Sequence, residues 1–377
     1  MDKKKIVFVT GTRADFGKLK PLIQKVEESN YLDAYIFVTG MHMLPRYGTT
    51  VHEILKYEFN NVYLYNNLTG TGRMDTTLAN TIYGLSCYID EIEPDLIIVH
   101  GDRGEALAGA IVGSFNNIRV GHIEGGEISG TIDGLIRHSI TKLSHVHFVT
   151  NEKAKNRLLK MGEASNSIFE IGSPEVDFML SNRLPRLKKV KKIYDIDFRK
   201  YGILIYHPVT FERNVFAKNT KEVLSAIVES KLNYIVILPN NDDKNGKVDI
   251  EYEKLRHLSN CRVFPSIRFE YFITLLKHSQ FIIGNSSSGV REAPTFGVPT
   301  INIGSRQSGR NKSESIFNVG ENKSEITTII ASILKKKKYF KSTINFGKGK
   351  SVEQFMNILK EKSTWQIPLQ KVFVEGK

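Results

Sequence analysis

Short apolar runs alternate with amphipathic stretches along most of the chain. Ile6–Thr10, Ala34–Val38, Asp95–Val99, Ile118–His122, Val146–Thr150 and Ile168–Gly172 read as strands, each bounded by turn residues. Phe16–Glu28, Glu105–Phe115 and Ile132–Leu143 read as amphipathic helices between them. The rhythm breaks at Ser173-Pro174 and through the basic stretch Arg183–Lys200. It restarts with strands Gly202–Tyr206, Tyr234–Leu238, Arg262–Phe264, Phe281–Gly284 and Pro299–Ile303. Helices Glu222–Ser230 and Glu270–Lys277 fall among these. Strand–helix–strand repetition implies parallel sheets covered by helices on both faces. The fold class expected is therefore α/β, with two doubly wound, Rossmann-like domains. The first spans 1–175, a linker 176–199, and the second 200–350. A last helix near Val352–Lys360, within 352–377, is assigned to the first domain, although it could pack on either.

Composition narrows the class. At 377 residues, 41% hydrophobic and 25% charged, the chain suits a soluble protein with two cores. No apolar run reaches the roughly 18–20 residues of a membrane-spanning helix. The run Ile6-Val7-Phe8-Val9 is too short for the apolar region of a signal peptide. The two cysteines, Cys87 and Cys261, have no paired spacing, and a reducing cytoplasm is the simplest location. The net charge of +13 is partly concentrated in Arg186–Lys192 and Lys335–Lys338. Without interleaved aromatics these runs read as solvated faces, not as a nucleic-acid site. A positive field still attracts small anions.

In doubly wound sheets, ligands sit beyond the carboxyl ends of the strands, and two facing domains would put the site in the cleft between them. Five polar segments lie at such ends. Thr10–Lys18 is a tight turn into a helix; it lacks the full dinucleotide and Walker fingerprints, but Arg13 and a helix start could hold phosphate. His100–Glu105 carries Asp102 and Arg103, and Asp102 could equally be a helix cap. His122–Asp133 holds a histidine, three carboxylates and three glycines, and reads as an active-site loop. If the strands before Asp102 and Glu124 are neighbours, they lie about 4.8 Å apart and their terminal carboxylates share a pocket. Such pairs have split pKa values, which suits acid and base roles. Tyr206–Thr210 places His207 at the end of the first strand of the second domain, where it would face across the cleft; a turn histidine held by Pro208 is the alternative. Gly284–Pro294 joins serines at a helix start to Glu292, as an anion cradle beside a ribose acceptor would. Arg306, in Gly304-Ser305-Arg306-Gln307, adds a cation at that edge.

His122 and Glu124 form an H-x-E pair, but the P-C-x-x-C that completes a zinc deaminase signature is absent. No metal is expected.

Taken together, Gly11–Asp15, Val38–His42, Gly101–Arg103, His122–Asp133, Arg137–His145, His207–Thr210, Gly284–Glu292 and Gly304–Gln307 give the chain a resemblance. It is similar to the hydrolysing UDP-N-acetylglucosamine 2-epimerases of sialic acid synthesis, over nearly its whole length. The resemblance implies a GT-B-like fold, a homodimer and a reaction needing no cofactor. It implies that UDP-N-acetylglucosamine and water become N-acetylmannosamine and UDP, through a 2-acetamidoglucal. Carried over residue by residue, Asp102, Glu124 and Asp133 match catalytic carboxylates, and His122 and His207 functional histidines. Arg13, Arg103, His207, Ser286, Ser287, Glu292 and Arg306 match UDP-contacting positions. Close relatives act on UDP-N,N'-diacetylbacillosamine for legionaminic acid, the second substrate expectation. A GT-B glycosyltransferase and a non-catalytic UDP-sugar sensor are the alternatives from other classes.

Overall fold

The computed structural model describes residues 3–45, 48–68, 73–129, 132–207, 213–238, 247–336 and 340–375. Gly130-Thr131, Pro208-Val209-Thr210 and Lys337-Lys338, parts of segments singled out above, lie outside them. The chain divides into two units. The first comprises Met1–Glu127, Ile132–Ser181 and Asn345–Lys377; the second comprises Asn182–Ile344, with Ile128–Thr131.

The first unit holds seven strands: β1 (Lys4–Thr10), β2 (Leu32–Val38), β3 (Val62–Leu64), β4 (Leu96–His100), β5 (Arg119–Ile123), β6 (Val146–Val149) and β7 (Ile168–Glu170). They form one parallel sheet in the order β3-β2-β1-β4-β5-β6-β7. Successive side chains of a strand face opposite sides, and β1 shows what that does here. Ile6 and Phe8 join one apolar cluster, with Leu19, Leu22 and Phe355; Val7 and Val9 join another, with Leu85 and Val112. Burial on both faces is why these strands are continuously apolar.

The second unit holds β8 (Gly202–Ile205), β9 (Tyr234–Ile237), β10 (Cys261–Phe264), β11 (Phe281–Gly284), β12 (Thr300–Ile303) and β13 (Ile316–Val319). Its parallel sheet has the order β10-β9-β8-β11-β12-β13. Both sheets thus carry the strand order of a Rossmann fold, reversing direction once. The reversal lies between β1 and β4 in the first and between β8 and β11 in the second. The crevice at such a switch point is where this fold binds ligands.

Several elements were not legible beforehand. Helix Met74–Ile92 buries Thr81 and Gly84 beside Leu85, Tyr88 and Ile89, so its inner face is not uniformly apolar. Strands β3 and β13 are short and sit at sheet edges. The stretch 176–199 contains most of helix Pro174–Leu180 and all of helix Leu187–Ile193. Passage between units falls after Ser181 instead. In Leu187–Ile193, Val190 is buried while Lys188, Lys189 and Lys192 are exposed, the solvated face expected of that run. Helix Ser351–Lys360 belongs to the first unit. Asp177 accepts from the Ser351 and Val352 amides at 3.0 and 2.9 Å, and the Phe355 ring packs at a tilt against Phe148, centroids 4.9 Å apart. Among the described residues, no helix is long and apolar enough to cross a membrane.

Candidate active site

The first switch point is built by the turns after β1 and β4. After β1, the Asp15 carboxylate accepts from Thr10 Oγ1 at 2.6 Å and from the Gly11 and Thr12 amides at 3.0 Å. Thr12 caps helix Arg13–Glu27 in return. Much of this turn's polarity therefore fixes its shape. Arg13, half-buried, donates from Nε to Glu53 at 3.0 Å. After β4, Gly101 takes φ +76°, a backbone form that suits glycine. Arg103 donates from Nε to Glu105 at 3.3 Å.

β4 and β5 are neighbours, with Val99 opposite His122 and His100 opposite Ile123. This brings the segments bearing Asp102 and Glu124 side by side. The link between them is Arg137, 2% exposed, on helix Ile132–Leu143. Its guanidinium pairs with the Asp102 carboxylate and donates to the Glu124 carbonyl at 2.8 Å. Glu124 itself sits at φ +64°, an uncommon form for a residue with a side chain. Its amide donates to Phe148 O at 2.9 Å, so both backbone groups of this strained residue are held.

The Glu124 carboxylate, almost fully buried, is surrounded by polar groups. Ser173 Oγ donates to it at 2.7 Å, Lys18 Nζ lies 3.4 Å from each oxygen, and His100 Nε2 lies 3.3 Å away. Lys18 also lies 3.0 Å from the buried Glu175. One ammonium thus lies within reach of two buried carboxylates. Asp133 lies in the first turn of helix Ile132–Leu143, four residues before Arg137 and on the same face.

His122 is fully enclosed. Nε2 faces Gly101 O at 2.8 Å and Nδ1 faces Thr141 Oγ1 at 3.2 Å. Donation to the carbonyl makes Nε2 the protonated nitrogen, with Nδ1 accepting from the hydroxyl. Burial pushes its pKa down to about 3, the Gly101 bond opposing this and Arg137 adding to it. The neutral ring therefore ties β5 to the turn that carries Asp102. Glu127 accepts from Thr150 Oγ1, a structural contact. His145 and His147 are taken up by Leu369 O and Glu163, at 3.0 Å each. Among the described residues, no three His, Cys, Asp or Glu side chains are grouped as a metal site.

The second switch point lies between β8 and β11. His207, half-buried, follows β8. Burial lowers its pKa well below the ordinary imidazole range, and the Arg306 guanidinium lowers it further. Gly284, at the end of β11, has φ +130°, and a Cβ there would stand 1.9 Å from Ile205 O. No other residue fits this approach of β11 to β8. Asn285 follows, then Ser286, whose hydroxyl caps the short helix Ser287–Val290. Ser287 is partly exposed there, and Glu292 opens the next short helix, Glu292–Thr295, largely buried. Arg306 Nη1 donates to Asn285 O at 3.0 Å. Arg306, Ser286, Ser287 and Glu292 thus belong to one strand-end region of the second sheet.

Arg137, Lys18, Ser173 and Asn285 were not assigned roles from the sequence. Lys18 and Asn285 lie within the strand-end motifs and Arg137 within the stretch Arg137–His145, whereas Ser173 marks only the break in the strand–helix rhythm.

The chain matches the model of the UDP-N-acetylglucosamine 2-epimerase family over residues 24–360. It is 45% identical to a UDP-N-acetylglucosamine 2-epimerase of Neisseria meningitidis, covering 99% of both chains. It is 35% identical to the hydrolysing UDP-N,N'-diacetylbacillosamine 2-epimerase of Legionella pneumophila, covering 95% of this chain and 96% of that one. Among solved structures, the Methanocaldococcus jannaschii UDP-GlcNAc 2-epimerase in complex with UDP-GlcNAc and UDP superposes with a TM-score of 0.79. That match is 27% identical and covers 94% of this chain and 99% of the other. A family match over most of the length, on two Rossmann sheets with polar residues gathered at their switch points, has one reading: the chain belongs to the UDP-N-acetylglucosamine 2-epimerase family.

Proposed function

We propose that this protein is a hydrolysing UDP-N-acetylglucosamine 2-epimerase, converting UDP-N-acetylglucosamine and water into N-acetylmannosamine and UDP. The observation that carries this reading is Arg137, which joins the Asp102 carboxylate to the Glu124 backbone at the ends of two adjacent strands. The 45% identity to the Neisseria meningitidis enzyme supports the choice of sugar over the diacetylated alternative.

The chemistry follows from the groups present. A base takes the C2 proton, the C1–O bond breaks, and UDP departs with the bonding pair, leaving a 2-acetamidoglucal. Water then adds at C1, and a proton returns to C2 from the opposite face. Asp102 and Glu124 handle C2 and the water. Lys18 and Ser173 hold the Glu124 carboxylate in place between turnovers. Asp133 is the third proton-transfer group. His122 acts by positioning, since both ring nitrogens face protein groups. In the second unit, His207, Ser286, Ser287 and Arg306 offer donors to the diphosphate, whose developing charge as it leaves calls for fixed donors; in the first unit, Arg13 and Arg103 are the UDP-contacting candidates by resemblance. Glu292 accepts from the ribose hydroxyls. The protein works as a cytoplasmic homodimer supplying sialic acid synthesis.

Incubation with each UDP-sugar and no acceptor, followed by NMR, tests the reading. Release of N-acetylmannosamine and UDP from UDP-N-acetylglucosamine is the expected result. Turnover of UDP-N,N'-diacetylbacillosamine alone would move the protein to the legionaminic route. An unchanged donor would return the glycosyltransferase and sensor alternatives.

A further inference from the structure

Beyond the residues matched to the family's site, the second switch point contains a residue whose hydrogen bonds all converge on it. Asn285 is 1% exposed and follows directly on β11. Its side-chain Oδ1 accepts from the His207 amide at 2.7 Å, and its Nδ2 donates to the His207 carbonyl at 2.9 Å. The Asn285 amide donates to Ile205 O at 3.1 Å. Its carbonyl accepts from Arg306 Nη1 and from Gln307 Nε2, both at 3.0 Å.

His207 lies past the last residue of β8, where the β8–β11 ladder has ended. The Asn285 amide continues that ladder with a side chain in place of backbone. Buried donors and acceptors left without partners are costly, so this exchange fixes the His207 backbone in one place. Few side chains can do this. It needs one acceptor and one donor at the span of a peptide group: aspartate offers two acceptors, glutamine is one methylene too long, and alanine offers neither. The same residue fixes Arg306 from its other end. Ser286 is its immediate neighbour.

We infer that Asn285 is a positioning residue for nucleotide departure, holding His207 and Arg306 at a set spacing from the serine-rich turn. The inference rests on the epimerase reading for its consequence, though not for its geometry. Removing the side-chain amide frees the His207 backbone while leaving the Arg306 bond to the Asn285 carbonyl available. The losses should fall on the step in which the diphosphate takes up charge, more than on substrate capture.

The test compares wild type, Asn285→Ala and Asn285→Asp by steady-state kinetics with UDP-N-acetylglucosamine. Active sites are counted by UDP titration, so unfolded protein does not enter kcat. Both variants should lose about 30-fold or more in kcat, with KM changed by less than about threefold. The His207 imidazole titration, followed by NMR and assigned with His207→Gln, supplies a readout independent of turnover. In Asn285→Ala its midpoint should rise by at least about half a pH unit, as the loosened ring becomes more exposed to water. A residue with only a structural role would lower thermal stability yet leave kcat per active site and the His207 midpoint unchanged; that result overturns the inference. If wild type turns nothing over, the functional reading falls, and the His207 midpoint alone decides the positioning role. A midpoint that does not move then rejects it.

Discussion

Replacing Arg137 with methionine keeps much of the side-chain volume and removes both of its polar contacts. The Asp102 carboxylate loses this guanidinium, and the Glu124 carbonyl loses a 2.8 Å donor. Breaking a buried ion pair from one side costs about 3–5 kcal/mol. Asp102 is 24% exposed at its side chain, so water recovers part of that and the lower end applies. The orphaned carbonyl would cost about 1–3 kcal/mol if counted separately, but the two losses share one guanidinium and do not add in full. A total of about 3–4 kcal/mol follows, equal to roughly 10 °C in the melting temperature of a unit this size. Activity should suffer more, since freeing the Asp102 carboxylate moves a reacting group and an ångström of displacement can cost about a hundredfold. Arg137→Lys should restore part of the stability and little of the turnover, because an ammonium cannot reach two partners in a fork. Calorimetry and a coupled UDP-release assay measure both. A methionine variant melting within about 2 °C of wild type, with turnover within about threefold, would refute the idea that this arginine organises the two strand ends.

Other outcomes follow from the same geometry. Asp102→Asn and Glu124→Gln should each lower turnover by about 10²–10⁴-fold in folded protein, and near-normal rates in both would remove them from proton transfer. Buried His122 has a pKa lowered to about 3, so the unfolded chain binds its proton first as pH falls. That share of stability is intact above about pH 6.5 and is lost progressively below it, down towards the folded value. In chemical denaturation series, His122→Asn should flatten this limb between about pH 6.5 and 4; an unchanged slope would contradict the buried neutral ring. Burial would raise the Glu163 pKa, but bonds from His147, Lys371 and Lys142 outweigh it and hold it at about 2. Its contribution is complete above about pH 4.5 and fades towards pH 2, so Glu163→Gln should be the less stable protein at neutral pH and lose that disadvantage in acid. Gly284→Ala should destabilise the second unit by about 3 kcal/mol or more, since its Cβ would meet backbone that cannot yield.

Much of the architecture could be read from the chain because the central strands are buried on both faces and stand out as apolar runs. Helix Ile132–Leu143 and strand Phe281–Gly284 have the bounds expected of them. Edge strand β3 has three residues, edge strand β13 buries only Val319, and helix Met74–Ile92 carries polar residues inward, so none of them stands out as an apolar pattern. Strand-end residues were legible for a similar reason: polar groups after an apolar strand have no use in a core. What holds them was not. Ser173 reaches Glu124 across 49 positions, and Asn285 reaches His207 across 78. No local periodicity encodes such pairs; they exist only once the parallel sheet has brought the strand ends together. His122, matched to a functional histidine by resemblance, has a ring buried against Gly101 and Thr141, a contact that only the folded sheet reveals.

In the proposed reaction C2 loses its proton and regains one from solvent while UDP departs. Turnover of UDP-N-acetylglucosamine in deuterium oxide tests it most directly. The expected products are UDP and N-acetylmannosamine carrying deuterium at C2 in every molecule released. Sugar released with its original C2 hydrogen, or no release at all, would contradict it.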